Sequence, residues 1–564
     1  MDAASGQVLA AAGDLSQHPA GTTITPFVYL AGFARGLSPA SLGWDIPDET
    51  PVLGQVYQGP VRLRIALAND YLPPGQSILA QMGTGSILST AESFGLEIPP
   101  TGLLEKDFGL SPFDLAGAYS ILAQDGVHFG QDTSTWNQAT GAAGSAMEGQ
   151  PLEPTTVLRL LHADGSLWLD LAAPENRLVA TPQLTYLLTH VLGAQGARLS
   201  TPGSLDPLEV GRPAAVKTAR TLDESGAWTA GYTPQRTVVV FLDGAGAAAR
   251  PAADGLWSAI MQTASRDLPA EGWEMPDGIV TLKVCDPSGL LPTDACPSVV
   301  EEIFLDGRQP MHSDSLYQMF EGNKETGLLA TVFTPPEMVE RQVFMVVPPD
   351  ALTWAEAVGV ELPPSRYDYY QTPPVLSDVH ITSPLMFADG RGVLEVRGTA
   401  AGDDFISYRL EYGQGLNPRF WSLLGEDVTT PVQEGLLATW DTSGLEDGVY
   451  TLRLMVRRSE SRLEEALVQL TLDNTPPLLQ VLYPADGENL DIDENPWVVF
   501  QVQVEEAYLT EAVFHLDGSQ IGTRNTSPFW AVWSTLPGEH TLRVTAVDRA
   551  GNSGEVEIHF HVFR

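Results

Sequence analysis

The chain has 564 residues, with 30 Lys+Arg against 71 Asp+Glu and a formal net charge of −41. A protein this acidic repels nucleic acid and anionic membrane surfaces, and no basic run interleaved with aromatics offers a local exception. Hydrophobic residues make up 43%, enough to exclude wholesale disorder, and the length implies roughly three to five domains.

The first ten residues lack the basic and apolar regions of a signal peptide. No stretch reaches the ~18–20 apolar residues that span a bilayer; the longest runs, such as Val238 to Leu242, are strand-sized. Helical and strand patterns mix up to about residue 265, and the rest is strand-rich and punctuated by proline. Ser111-Pro112-Phe113-Asp114 predicts a helix start: Ser caps, Pro takes the first position and an acid sits in the first turn. Leu115, Ala118, Tyr119 and Leu122 then share one face expected to be buried.

Two cysteines occur, Cys285 and Cys296. Alone they do not supply the four ligands of a zinc site, so the segment reads as a disulfide-closed loop or as two buried thiols. A bridge would imply an oxidising compartment. The ten histidines form no H-x-x-x-H pair, so no metal site and no cofactor is expected. From Val375 onward, alternating strands are separated by Gly, Asp and Asn turns. Gly448-Val-Tyr-Thr-Leu-Arg-Leu recurs as Gly538-Glu-His-Thr-Leu-Arg-Val, and Ala438-Thr-Trp440 recurs as Ala531-Val-Trp533. The repeat predicts two Ig-like sandwiches joined by a stiff linker at Asn474-Thr-Pro-Pro, with Trp228, Trp440 and Trp533 read as core aromatics.

Several ordered segments resemble the transpeptidase domain of class A penicillin-binding proteins, with an extension of the 1C type. They are Gly6 to Gly13 with Pro19 to Ala31, Ala66 to Leu72, Leu110 to Gly126, and Lys217-Thr218-Ala219 with Ala227 to Pro234. The Cys285 loop and Glu411 to Pro418 resemble C-terminal extensions of such proteins. The resemblance implies a multidomain chain. A β-lactamase/transpeptidase-like α/β (α+β) domain over 1–265 would be followed by a β-rich connecting segment over 266–374 and Ig-like modules over 375–473 and 474–564. A helix is expected to begin near Thr22 and to pack on an antiparallel sheet containing Lys217 to Ala219. Proteins of this family carry a membrane anchor and glycosyltransferase module upstream, and the present sequence opens on the transpeptidase-like part. The resemblance further implies an extracytoplasmic, cell-envelope location and peptidoglycan, its stem peptide or other cell-wall proteins as partners.

The family's S-x-x-K, S-x-N and K-T-G motifs stand here as Thr22-x-x-Thr25, Asp70-x-Leu72 and Lys217-Thr218-Ala219. Thr25 cannot replace the lysine that takes the nucleophile's proton, a loss of ~10²–10⁴ in rate. Thr22 keeps a hydroxyl but adds a β-methyl that crowds attack. A carboxylate of ordinary pKa, about 4, is a weak substitute base at position 70. Leu72 removes a substrate-orienting amide, and Ala219 adds a Cβ where the family has Gly. The plainer reading makes Thr22 a helix N-cap, Thr25 a first-turn residue and Asp70 a turn or surface carboxylate. Lys217 and Thr218 either line an anion-binding cleft or belong to an ordinary strand with a solvated lysine. The leading functional reading is a degenerate, scaffold or binding member of the family. An active D,D-transpeptidase or carboxypeptidase using Thr22, and an adhesion or spacer role for the Ig-like modules, compete with it.

Overall fold

A computed structural model describes residues 1–47, 56–131, 152–198, 206–244, 246–369, 372–459, 462–492, 495–506 and 508–564. Four helices organise the N-terminal part: α1 (Thr25–Ala34), α2 (Leu63–Ala68), α3 (Leu72–Ser93) and α4 (Pro112–Ala123). Every residue of α1 from Thr25 to Phe33 is buried. A helix apolar all round must sit inside a core, and α1 packs against α3 and the helix Pro182–Leu192. Ser111 caps α4, accepting from the Phe113 N–H at 3.1 Å, and Leu115, Ala118, Tyr119 and Leu122 are fully buried.

Strands β1 (Ala215–Arg220), β2 (Ala227–Tyr232) and β3 (Thr237–Leu242) form an antiparallel sheet in the order β3-β2-β1. Lys217 pairs with Ala230, Thr218 with Thr229 and Ala219 with Trp228. One face contributes Ala215, Ala219, Trp228 and Ala230 to the core around α1 and α4. The other, through Val216, Val238 and Val240, meets Trp257 and Met261 of the helix Ala249–Ala264. The sheet is thus buried on both faces.

Strands Ile279–Cys285 and Val299–Leu305 form the next hairpin, and a disulfide joins Cys285 to Cys296 with Cα atoms 5.8 Å apart. Glu302 of this hairpin is buried against α2, accepting from Arg62 Nη1 at 2.7 Å and from Arg64 Nε at 2.8 Å. The hairpin is therefore fastened to the N-terminal core rather than strung beside it.

Between Val379 and Leu472 a three-stranded sheet shares one core with a five-stranded sheet, through Val396, Trp440, Leu452, Leu454 and Leu470. Between Leu478 and Phe563 the same strand order recurs, including a short strand that runs parallel to the last one, around Val498, Phe500, Val544 and Phe560. Trp440 is fully buried and Trp533 half-buried. Asn474, read as part of a stiff linker, is tied into the first of these modules. Its side chain accepts from the Gly392 N–H at 2.8 Å and donates to Thr442 O at 2.9 Å. The second module also returns to the N-terminal part, where Arg35 at the end of α1 lies over Tyr483 and donates to Asn495. Among the described residues no helix is long and apolar enough to cross a membrane.

Candidate functional site

Thr22 lies in a 3-10 turn, Gly21–Ile24, that feeds into α1. It is not a cap: Ala20 precedes that turn, Ile24 precedes α1, and neither end has a side-chain cap. Its hydroxyl instead donates to Asp70 Oδ2 at 2.8 Å and accepts from the Arg220 N–H at 3.1 Å. Thr25 is a first-turn residue, as the plainer reading had it, and its hydroxyl turns back to Thr22 O at 2.9 Å. A threonine hydroxyl spent on its own backbone is the usual alternative to a useful side-chain contact.

Asp70 sits between α2 and α3 with φ of 61°, and it is 6% exposed, so it is no surface carboxylate. Its other oxygen, Oδ1, accepts from Lys217 Nζ. Lys217 is 2% exposed and has Leu67 O as a second, longer contact at 3.5 Å. Burial pulls the Lys217 ammonium below the usual lysine range, and the Asp70 charge and hydrogen bond work against that shift. A buried carboxylate and ammonium in contact satisfy each other. Leu72 opens α3 and packs against the core of that domain.

Strand alternation separates the two retained motif residues. Lys217 faces α1 and Asp70, whereas the Thr218 hydroxyl accepts from Arg250 Nη2 at 2.6 Å, on the helix at the opposite face. Lys217 is therefore not a solvated strand lysine, and it and Thr218 bond to different partners, Asp70 and Arg250. Ala219 is fully buried in the core.

The gap between the 3-10 turn and β1 is closed. A Cβ on Gly21, whose φ is 55°, would lie 1.8 Å from Arg220 O, so only glycine permits this approach. Asp107 clasps both sides, its Oδ1 accepting from the Gly21 N–H at 2.7 Å and its Oδ2 from the Leu222 N–H at 2.9 Å. Thr22 is consequently 0% exposed. Asp107 and Arg250 carried no sequence signal, since each acts across a long separation through a single side chain.

A hydroxyl bonded to a carboxylate has the outline of a nucleophile and its base. Here the oxygen is capped by a backbone N–H and reaches no solvent, and both carboxylate oxygens are engaged. Elsewhere, Asp473, Glu506 and Asp548 bring carboxylate oxygens within 4.8 Å of one another at the junction of the two β-modules. Asn552 already donates to Asp548 Oδ2 at 2.8 Å. Burial and the neighbouring Asp548, Asp447 and Asp389 push the Asp473 carboxyl up.

A family model described as "Penicillin-binding protein 1A, C-terminal domain" matches residues 275–319, the disulfide hairpin and its continuation. Penicillin-binding protein 1A of Clostridium novyi is 23% identical over 306 residues, covering 51% of this chain and 33% of that protein. Its Clostridium botulinum (strain Langeland) counterpart is 24% identical over 367 residues, covering 58% of this chain and 41% of that protein. The chain thus spans about a third to two fifths of the length of these relatives. The crystal structure of penicillin-binding protein 1A from Haemophilus influenzae superposes with a TM-score of 0.42 at 20% identity, covering 53% of this chain and 49% of that one. The sheet and helices around Thr22 and Lys217 belong to a mixed α/β domain in a strand-rich chain. The chain carries a class A penicillin-binding protein-like domain.

Proposed function

We propose that this protein works at the bacterial cell wall as a penicillin-binding protein-like component that has lost acyl-transfer chemistry and acts as a scaffold or binding partner. The observation that carries the reading is the closed site, in which the Asp70 carboxylate holds both the Thr22 hydroxyl and the Lys217 ammonium while Asp107 and Arg220 seal the mouth. Acyl transfer needs a nucleophile that an acyl donor can reach and a base free to take its proton. This arrangement offers neither.

The working division is a transpeptidase-like domain over 1–265, a connecting segment over 266–374 and Ig-like modules over 375–473 and 474–564. Support for the last two comes from their shared strand order. Thr22, Thr25, Asp70 and Leu72 are the degenerate catalytic positions, and Lys217, Thr218 and Ala219 the degenerate substrate strand. Peptidoglycan or neighbouring cell-wall proteins are the proposed partners, at an extracytoplasmic location. Any contact with a stem peptide would be made outside the sealed Lys217 position.

A second reading, an active D,D-transpeptidase or carboxypeptidase with Thr22 as nucleophile, draws on the 2.8 Å Thr22–Asp70 hydrogen bond. Intact-mass spectrometry after incubation with a penicillin separates the two. The expected spectrum has no adduct. A stable adduct that maps to Thr22 and disappears in Thr22→Val overturns the inactive reading in favour of the enzyme.

A further inference from the structure

We propose that a hollow of the connecting segment, beside the first β-module, binds a neutral saccharide, an inference independent of the transpeptidase-like domain. The hollow measures about 590 Å³ and is lined by Leu328, Ser365, Arg366, Tyr367 and Tyr369. That volume lies within the range of about 300–1,000 Å³ typical of small-ligand sites, which favour domain junctions.

The aromatic wall is held in place. Backbone bonds from Leu329 N to Arg366 O and from Asp368 N to Leu329 O, 2.9 and 2.8 Å, fix the segment in extended form. Asp368 is buried and accepts from Asn323 Nδ2 at 2.6 Å. Alternation along an extended segment then turns Tyr367 and Tyr369 to the opposite side. Both meet Phe387, Tyr367 stacked with ring centroids 3.7 Å apart and Tyr369 edge-on at 5.9 Å. Tyr369 nevertheless remains 59% exposed.

Polar groups flank the rings. Two residues beyond Phe387, Asp389 receives a two-pronged contact from Arg549 of the second module, at 3.1 and 3.2 Å. That guanidinium lies over Tyr508, 4.6 Å from its ring centroid, and Tyr508 is itself 42% exposed. Arg549 and Tyr508 are within electrostatic reach of the Tyr367 phenol, whose titration burial pushes up.

Ligand chemistry follows from this mixture. A pyranose ring offers an apolar C–H face to stack on tyrosine and a rim of hydroxyls for planar carboxylate and guanidinium partners. An anionic ligand finds the Arg549 guanidinium already paired with Asp389, in a chain of net charge −41. A cation that would suit the aromatic rings meets the guanidinium of Arg366, which lines the hollow. A wholly apolar ligand would leave the Asp389–Arg549 pair and the phenols desolvated without partners.

The test is calorimetric titration of the full chain with tri-N-acetylchitotriose, a neutral oligosaccharide. Saturable binding is expected, weakened roughly fivefold or more in Tyr369→Ala and by less than that in Tyr369→Phe. Tyr369 is exposed enough for its alanine variant to fold, which its circular dichroism spectrum checks. No saturable binding up to about 10 mM, or a smaller loss than fivefold in Tyr369→Ala, overturns the proposal.

Discussion

Lys217 and Asp70 form a buried ion pair across 147 positions of the chain, joining β1 to the turn between α2 and α3. Their side chains are 1% and 3% exposed. Removing one partner leaves the other charged and desolvated, a cost of about 3–5 kcal/mol. Lys217→Met and Asp70→Leu should each destabilise the protein by that order in urea unfolding. The double variant should cost far less than the sum, because it removes the pair together. A double variant as damaging as both singles added would show that the contact is not the source of the effect.

A second buried cluster predicts how firmly the disulfide hairpin is fastened to the N-terminal core. The Glu302 side chain is 0% exposed and takes hydrogen bonds from both Arg62 and Arg64. Burial raises its carboxyl, but the Arg64 and Arg62 guanidiniums outweigh that and hold it below the usual range. Glu302→Gln should cost about 3–5 kcal/mol, since the buried Arg64 loses its counter-charge and Arg62 keeps only the partly exposed Asp286. Asp286, one third exposed and bonded to Arg62 alone, is screened by solvent, so Asp286→Asn should cost about 1 kcal/mol or less. Thermal unfolding of both variants checks the ranking.

What could be read from the residues was local or ordered along the chain. The Ser111 cap, the buried face of α4 and the repeated strand pattern each depend on neighbours a few positions apart, and each is present. The Thr22 position was misread as a cap because its partner, Asp70, lies 48 residues away. The same holds for the clasp by Asp107, 86 residues from Gly21. Alternation along β1 was available in the sequence and would have sent Lys217 and Thr218 to opposite faces. Without the helix that carries Arg250, however, nothing marked the far face as occupied.

The disulfide makes its own prediction. Cys285 and Cys296 are eleven positions apart, and Cys285 is fully buried. Closing a loop of that length restricts the unfolded chain by about 2–3 kcal/mol in the chain-entropy description. Cys285→Ser with Cys296→Ser should lower the denaturation midpoint by a corresponding amount under non-reducing conditions. Against fully reduced wild type the same pair of substitutions should cost much less, only what burying the serine hydroxyl at the 0% exposed position 285 adds.

His128 should contribute to acid sensitivity beside His190, whose imidazole burial and the Arg64 charge likewise pull down to about 4. His128 is 4% exposed and sits opposite Arg177 in the paired strands Val127–Gly130 and Glu175–Leu178. Burial, aided by the Arg177 charge, pulls the imidazole down to about 4. In the unfolded chain a histidine titrates near 6.5. Between those values the unfolded state binds the proton and the folded state does not, so stability falls as pH drops from about 6.5 towards 4. From pH 7 to pH 5 this single group accounts for about 2 kcal/mol. His128→Phe keeps a ring of similar shape without a titrating nitrogen, so the variant should lose that much less stability over the same pH interval in thermal melts. An equal acid-induced loss in variant and wild type would assign the sensitivity to other groups.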